Sequence, residues 1–374
     1  MLQGRRSAEG SSRVRTCSPP GSSFSAHLRG PRVAVARCGA QTQSLETSVN
    51  TNRLYYAYAR HALVTAMRLV RVGRGSVVLV PDFICRDVLA SLAAVEAETV
   101  FYSIGDDLQI STTQSLLEAD AIIAVNYFGF PADLALIRQT LASPQTAIIE
   151  DNAHGWLSKD HDGAPLGSRT NVGVTSLRKT IRLPDGACIE WRDGADLDVS
   201  ALHQPLAPRS ERLSVGFGLR RTAQRLDRLS PLSLMDLGRQ TVRSLRRLRG
   251  EPPIDERPSE EWELPSHRSI HRTSLELVSR VDQEAEVRRR RELFAQCFSA
   301  AQRAGVETPT PDLPTGVSPQ GFPFFGDSGD IAAFAKTVRR ERLGETIAWP
   351  ALPKRSPLAA TSRLRSLRLV NFLA

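Results

Sequence analysis

The chain has 374 residues, 41% of them hydrophobic, which is enough for a buried core in one large domain plus a smaller one and excludes a chain disordered throughout. Its net charge of +9 is spread along the sequence rather than gathered in one patch, so we expect no nucleic-acid partner. Five scattered cysteines without a CxxC pair exclude a disulfide framework and favour a cytoplasmic location, and no apolar run is long enough to predict a membrane span.

The first 45 residues differ in composition from the rest of the chain. They are rich in Ser, Gly and Arg, and Glu9 is their only carboxylate. We interpret residues 1–45 as a disordered extension or the product of a start codon placed too far upstream. An organelle transit peptide has a similar composition and remains the alternative.

Apolar runs alternate with helical patterns over residues 46–250, which we predict to form the large domain. Short continuous apolar strands of this kind are typical of a mostly parallel sheet covered by helices, so the fold class is α/β. The predicted strands are 76–80, 99–104, 121–125, 147–150 and 172–176, and the predicted helices are 57–70, 84–95 and 131–142. Residues 209–250 are helical in pattern and rich in arginine.

Residues 251–374 are predicted to form a linker and a smaller C-terminal α+β domain. A proline-rich and acidic stretch over 251–268 favours the linker, and one long helix is predicted over 274–304. The Arg288–Arg291 run within that helix is interpreted as a solvated face. A strand over Gly321–Phe325 and a helix over 330–343 follow.

Two residue types stand at strand ends in an order that suggests cofactor chemistry. The strand 147–150 delivers Asp151, and Lys179 follows the strand 172–176. Only four of the 49 basic residues are lysines. We interpret each lysine as marking a position that arginine cannot fill, as in a Schiff base, because a guanidinium group stays protonated and cannot attack a carbonyl. Pyridoxal phosphate (PLP) needs a lysine amine for its aldehyde and a carboxylate that keeps its ring nitrogen protonated.

Five segments in order resemble the DegT-type nucleotide-sugar aminotransferase family, which has the PLP fold type I. They are Gly73–Pro81 (GRGSVVLVP), Asn126–Asp133 (NYFGFPAD), Glu150–His154 (EDNAH), Leu166–Ser168 (LGS) and Ser176–Thr180 (SLRKT) with Pro184–Gly186. The resemblance covers residues 55 to about 192 and implies that 46–250 binds the cofactor.

The resemblance also implies roles for single residues. Lys179 would form the Schiff base, Asp151 would pair with the ring nitrogen, and His154 would lie near the ring hydroxyl. Ser176 and Arg60 would contact the phosphate, and Phe83 would lie beside the cofactor. Lys179 and Asp151 are therefore the predicted catalytic residues, and no metal is expected.

The implied activity is transfer of an amino group from a donor such as glutamate to a keto substrate, possibly a nucleotide-linked keto sugar. The implied assembly is a homodimer. Two departures keep an alternative open: Ala59 and Arg60 replace the family's Gly-Thr phosphate loop, and the sequence ends at Ala374, where the family normally continues with a final helix. A third departure, Cys85 at a position where an aromatic residue often stacks on the ring, leaves the substrate open. That alternative is a protein of the same fold whose catalysis is lost or altered and whose role is regulatory.

Overall fold

The computed structural model describes residues 51–111, 118–202, 206–213, 217–218, 261–348 and 352–373. The predicted extension over 1–45 lies outside these ranges, as do the predicted boundary between residues 250 and 251 and residues 219–250 of the arginine-rich segment. No helix among the described residues is long and apolar enough to cross a membrane.

Strands and helices alternate through most of the described chain. The strands are β1 (Thr51–Tyr56), β2 (Val77–Pro81), β3 (Glu98–Tyr102), β4 (Ala121–Val125), β5 (Ala147–Asn152), β6 (Val172–Ser176), β7 (Ala187–Arg192), β8 (Gly321–Phe325), β9 (Glu345–Ala348) and β10 (Leu367–Asn371). The α-helices are α1 (Ala59–Leu69), α2 (Leu89–Ala94), α3 (Leu134–Thr140), α4 (Arg272–Val278), α5 (Gln283–Ala304) and α6 (Ile331–Arg340).

The larger sheet has seven strands in the order β1-β7-β6-β5-β4-β2-β3. Neighbouring strands from β3 to β6 pair in parallel, whereas β7 pairs antiparallel with both β6 and β1. Every residue of β4 and of β6 is buried, as their continuous apolar character predicts. The predicted mostly parallel α/β sheet is therefore confirmed.

Strands β1 and β7 were not among the predicted elements, because charged residues interrupt their apolar pattern. The structure places Arg53 of β1 directly opposite Glu190 of β7. The Arg53 Nε donates a hydrogen bond of 2.7 Å to the Glu190 carboxylate. Arg53 and Glu190, the charged residues that interrupt the apolar pattern of β1 and β7, thus form an ion pair between the two strands.

The predicted helix over 274–304 is two helices, since α4 ends at Val278 and α5 begins after Asp282. The Asp282 carboxylate caps α5 by accepting a 2.9 Å hydrogen bond from the Ala285 N–H. The interpretation of Arg288–Arg291 as a solvated face is wrong for Arg290, whose side chain is completely buried. A charged side chain with several protein acceptors within reach can be buried on the inner face of a helix.

The smaller sheet is antiparallel, in the order β8-β10-β9. It packs against α5 and α6 through phenylalanine rings: Phe294 meets Phe322 at a centroid distance of 5.1 Å, and Phe324 meets Phe334 at 4.9 Å, both edge-to-face. Just before β8, the Gln320 N–H donates a 2.7 Å hydrogen bond to the Phe128 carbonyl. This bond joins the smaller sheet to the turn that follows β4.

Candidate active site

A cavity of about 320 Å³ lies at the carboxyl ends of β4, β5 and β6, beside the first turn of α1. Open α/β sheets form their ligand crevices at this edge, because loops leave neighbouring parallel strands in opposite directions there. Five of the six predicted site residues line the cavity: Arg60, Asp151, His154, Ser176 and Lys179. The sixth, Phe83, does not.

Lys179 closes the single 3₁₀ turn, Leu177–Lys179, that follows β6. The Gly186 carbonyl holds this turn by accepting hydrogen bonds from the Leu177 and Arg178 N–H groups, at 3.1 and 3.4 Å. Gly186 has a φ of +140°, which a residue with a Cβ adopts only under strain. The position of Lys179 therefore depends on Pro184–Gly186, one of the segments that carry the family resemblance in the sequence.

The Lys179 amine lies 3.0 Å from the His154 Nε2. The other ring nitrogen of His154, Nδ1, accepts a 3.1 Å hydrogen bond from the Phe128 N–H, so it carries no proton. The neutral imidazole then has its proton on Nε2 and donates it toward the lysine. Only an unprotonated amine can accept that hydrogen bond, which indicates that Lys179 is a neutral amine.

The electrostatics of both groups agree with this assignment. Burial is the largest influence on the pKa of Lys179 and lowers it, and the Arg178 guanidinium lowers it too, whereas Cys85, Asp151 and Asp87 act in the opposite direction. Burial also brings the pKa of His154 well below its ordinary value. A lysine with a lowered pKa becomes a nucleophilic free amine at a lower pH than an exposed lysine does, and attack on a carbonyl requires that form.

The backbone of Phe128 adopts a left-handed conformation, with φ +53°. This is a strained geometry for a bulky side chain and is typical of functional sites. It turns the Phe128 N–H toward His154, while the Phe128 ring stacks on the imidazole at 5.6 Å with an interplanar angle of 6°. The turn after β4 therefore fixes both the tautomer and the plane of His154.

Asp151 lies in β5 rather than after it, and its side chain lines the cavity. Burial raises the pKa of this carboxyl group, whereas Lys179, in its protonated form, and the Ala153 N–H, which donates a 2.9 Å hydrogen bond, act in the opposite direction. A positively charged partner in the cavity would stabilise the carboxylate.

Glu150 precedes Asp151 and, because side chains alternate along a strand, points to the opposite face. It is completely buried and paired with Arg169, whose Nε donates at 2.7 Å and whose backbone N–H donates at 3.0 Å. The Asn126 side chain donates a further bond of 2.8 Å. The two adjacent carboxylates thus differ in role: Glu150 ties loops together, and Asp151 faces the cavity.

One wall of the cavity is basic. The guanidinium groups of Arg60 and Arg178 both lie over the Tyr58 ring, at 6.0 and 5.9 Å from its centroid. Arg60 also lies 3.5 Å from the Asp87 carboxylate. Helix α1 begins at this wall, and among the described residues no side chain caps its N-terminus. The buried Ser176 also lines the cavity. Helix N-termini and arginine side chains attract phosphate groups.

The lowered pKa of Lys179 leads to a prediction about stability. Between its folded pKa and the ordinary value of 10.5, the unfolded chain binds the extra proton, so the free energy of unfolding rises with pH across this window. Lys179→Met removes the penalty. We expect the cofactor-free variant to be more stable than the wild type at about pH 7, with an advantage that shrinks toward about pH 10.

Urea unfolding of the cofactor-free proteins across that pH range measures the effect. Lys159→Met, at an exposed lysine, is the matched control and should follow the wild type at every pH. A Lys179→Met curve parallel to the wild-type curve would contradict the assignment of Lys179 as a neutral amine.

Comparison with known sequences gives the family of this site. Residues 53–195 match the sequence model of the DegT/DnrJ/EryC1/StrS aminotransferase family. The match contains β2 to β7 and all six predicted site residues. The match covers less than half of the chain, and over these residues the chain is similar to the DegT/DnrJ/EryC1/StrS aminotransferase family. The resemblance carried by the five sequence segments is therefore confirmed.

Solved structures of similar fold extend the comparison beyond the matched residues. GDP-4-keto-6-deoxy-D-mannose-3-dehydratase of E. coli, solved with bound hydrated PLP, is 15% identical with a TM-score of 0.54, covering 86% of this chain and 83% of its own. DesV of S. venezuelae is 16% identical (TM-score 0.52, 86% and 79%), and the aminotransferase TlmJ of Streptoalloteichus hindustanus is 17% identical (0.51, 85% and 80%). At these identities the likeness establishes the fold.

Against the DegT/DnrJ/EryC1/StrS pattern, the segment after β2 is the clearest departure in the described residues. The Phe83 ring is buried against Tyr127 at a centroid distance of 5.7 Å, and the Phe83 carbonyl accepts a hydrogen bond from the Tyr127 hydroxyl. Cys85, two residues later, lines the cavity instead. Sequence reasoning also missed Tyr58 and Arg178, although Arg178 stands directly beside the predicted lysine.

Proposed function

We propose that this protein, which is similar over residues 53–195 to the DegT/DnrJ/EryC1/StrS aminotransferase family, is a PLP-dependent aminotransferase. It would move an amino group from a donor such as glutamate to a keto substrate, with a nucleotide-linked keto sugar as the expected class. The observation that carries the proposal is the Lys179 amine, 3.0 Å from the His154 Nε2, in a cavity that a buried carboxylate, Asp151, also lines.

The chemistry of the lining residues fits each polar part of the cofactor. The Lys179 amine suits an aldehyde, and the Asp151 carboxylate suits a protonated ring nitrogen. His154, between them in the chain, suits the ring hydroxyl. Ser176, Arg60 and the N-terminus of α1 together suit a phosphate group. The arginine at position 60 supplies by charge what the Gly-Thr loop of the family supplies by close backbone approach.

PLP, when bound, supplies an electron sink that draws electrons from the reacting carbon of the substrate. The residues of the chain provide the rest. Asp151 holds negative charge against the ring nitrogen and so keeps it protonated. Lys179 would hold the aldehyde of the cofactor, and as a free amine in the same cavity it would serve as the base that moves a proton during the reaction.

His154 keeps Lys179 in the state that this proton transfer requires. Its Nε2–H donates toward the amine, and its Nδ1 is occupied by the Phe128 N–H, so the ring has no free nitrogen to take the proton itself. Lys179, and not His154, is therefore the group that would accept the proton of the substrate carbon. We assign His154 a positioning role for Lys179 in addition to contact with the ring hydroxyl.

Location and assembly form part of the same proposal. We expect a cytoplasmic homodimer without a nucleic-acid partner. Cys85, Cys188 and Cys297 are free thiols, as in proteins of reducing compartments. Light scattering after size exclusion measures the oligomeric state.

The experiment that tests the function is a pair of half-reactions on the purified protein loaded with PLP. L-glutamate should convert the visible cofactor band to that of the aminated cofactor and release 2-oxoglutarate. A panel of nucleotide-linked keto sugars should then restore the band. A cofactor band that no amino donor changes would favour the altered-catalysis alternative, and a protein that captures no PLP would contradict the proposal.

A further inference from the structure

Arg290 lies in α5, far along the chain from the residues of the cavity, and its side chain is completely buried. Its Nε donates a 2.7 Å hydrogen bond to the Glu286 carboxylate. Its Nη1 donates to the carbonyls of Pro319 and Gln320, at 2.9 and 3.1 Å, and its Nη2 donates to the carbonyl of Thr180. Each nitrogen of the guanidinium group therefore has an acceptor.

Thr180 is the residue that follows Lys179, so the contact fixes one end of the lysine turn. The Gly186 carbonyl holds the other end through the N–H groups of Leu177 and Arg178. Two groups thereby hold the backbone around Lys179. One is the carbonyl of Gly186, the residue before β7, and the other is the guanidinium group of Arg290 in α5.

The contact between Arg290 and Gln320 supports His154, the hydrogen-bond partner of Lys179, through Phe128. The Gln320 N–H donates to the Phe128 carbonyl at 2.7 Å, and the Phe128 N–H donates to His154. One guanidinium group thus binds both the segment that carries Lys179 and the segment that supports the partner of Lys179. The 3.0 Å distance between the two side chains depends on both supports.

Arginine is the only side chain that can make these contacts at once. Burial lowers the pKa of Arg290 to about 10, with Glu286 opposing the shift, so the group remains charged at neutral pH. Its planar fork reaches acceptors in several directions, whereas a lysine amine is a single point of donation. Arg290→Lys therefore keeps the charge and loses the bridge.

We propose that Arg290 is a positioning residue that holds the Lys179 amine against His154. The inference rests on the proposed function in that the positioned amine is the one that receives the cofactor. Loss of the bridge would separate the His154 Nε2–H from the amine. Since that hydrogen bond favours the neutral amine, its loss would raise the pH at which Lys179 becomes reactive.

The test uses the full chain without cofactor and reads Lys179 directly. Reductive methylation with formaldehyde and cyanoborohydride is followed at several pH values by the mass of the Lys179 peptide, with the exposed Lys159 as the internal standard. We expect Arg290→Lys to raise the pH midpoint for Lys179 and to slow PLP capture by about 10- to 100-fold, the cost typical of small misplacements of a reacting group.

Arg289→Lys is the matched control. Arg289 also binds Glu286, at 2.8 and 2.7 Å, and a backbone carbonyl, that of Phe372, but it does not contact the lysine turn. It should leave the Lys179 midpoint and PLP capture within about twofold of the wild type, which is well below the misplacement effect. A midpoint and a capture rate for Arg290→Lys equal to those of Arg289→Lys would overturn the inference.

Arg290→Gln serves as the second variant if Arg290→Lys does not fold. Its single amide group cannot donate to the carbonyls of Thr180, Pro319 and Gln320 together, so a shift of the midpoint in the same direction is expected; no shift would overturn the inference. The proposed function fails separately, since a wild-type protein that captures no PLP contradicts the function while the methylation midpoint still reports on Arg290.

Discussion

Asp151→Asn is expected to lower amino transfer by about 10²- to 10³-fold, the usual effect of removing one preorganised charge from an active site. The fold should tolerate this change well. Burial raises the pKa of Asp151, so a neutral side chain of the same shape removes a cost, and the asparagine oxygen can still accept from the Ala153 N–H. The free energy of unfolding should be unchanged or higher.

Glu150→Gln is the control for Asp151→Asn, and its expected result is the reverse. Removing the charge leaves the Arg169 guanidinium buried beside a neutral partner, which costs about 3–5 kcal/mol of stability. The folded fraction should keep its amino transfer rate. The two variants are compared by chemical unfolding and by turnover per folded molecule. Loss of turnover in Glu150→Gln with full turnover in Asp151→Asn would contradict the assignment of Asp151.

Lys179→Ala is expected to lower amino transfer by about 10⁴-fold or more, because one change removes both the attachment of the cofactor and the group that moves the proton. Lys179→Arg should be as inactive, since a guanidinium group stays protonated and cannot attack a carbonyl. Both variants should still bind PLP without a covalent bond through the basic wall. Turnover and borohydride-fixable PLP are the measurements.

The control for these variants is Lys336→Ala, a change at an exposed lysine of α6. It should retain full turnover and a full yield of the fixed adduct. Undiminished turnover in Lys179→Ala would exclude Lys179 as the residue that holds the cofactor.

Much of the sheet could be predicted from the sequence because its central strands are buried on both faces. Such strands are uniformly apolar, and the predicted bounds of the strand over 121–125 and the strand over 172–176 agree with β4 and β6. Asp151, near the end of β5, and Lys179, just after β6, could be placed at one edge of the sheet because the carboxyl ends of parallel strands meet there. Strand order alone then brings them to one cavity.

The remaining features depend on contacts between distant residues, which local patterns do not encode. Arg290 sits in a run of four arginines whose members look alike in the sequence, yet it alone of them is completely buried. The left-handed backbone of Phe128 is set by the turn around it and not by the residue's own preference. The Phe83 ring packs against Tyr127 and does not line the cavity, and the Tyr127 hydroxyl also donates to the Phe83 carbonyl.

The central claim is that Lys179 is the neutral amine that receives the cofactor, and the four lysines of the chain allow a direct measurement. The wild-type protein is loaded with PLP near neutral pH, reduced with borohydride and digested, and the reduced adduct is located by peptide mass spectrometry. The Lys179 peptide should carry one adduct per chain, while Lys159, Lys336 and Lys354, all exposed, should carry only traces. An adduct mainly on any of these three, or none on Lys179, would contradict the account.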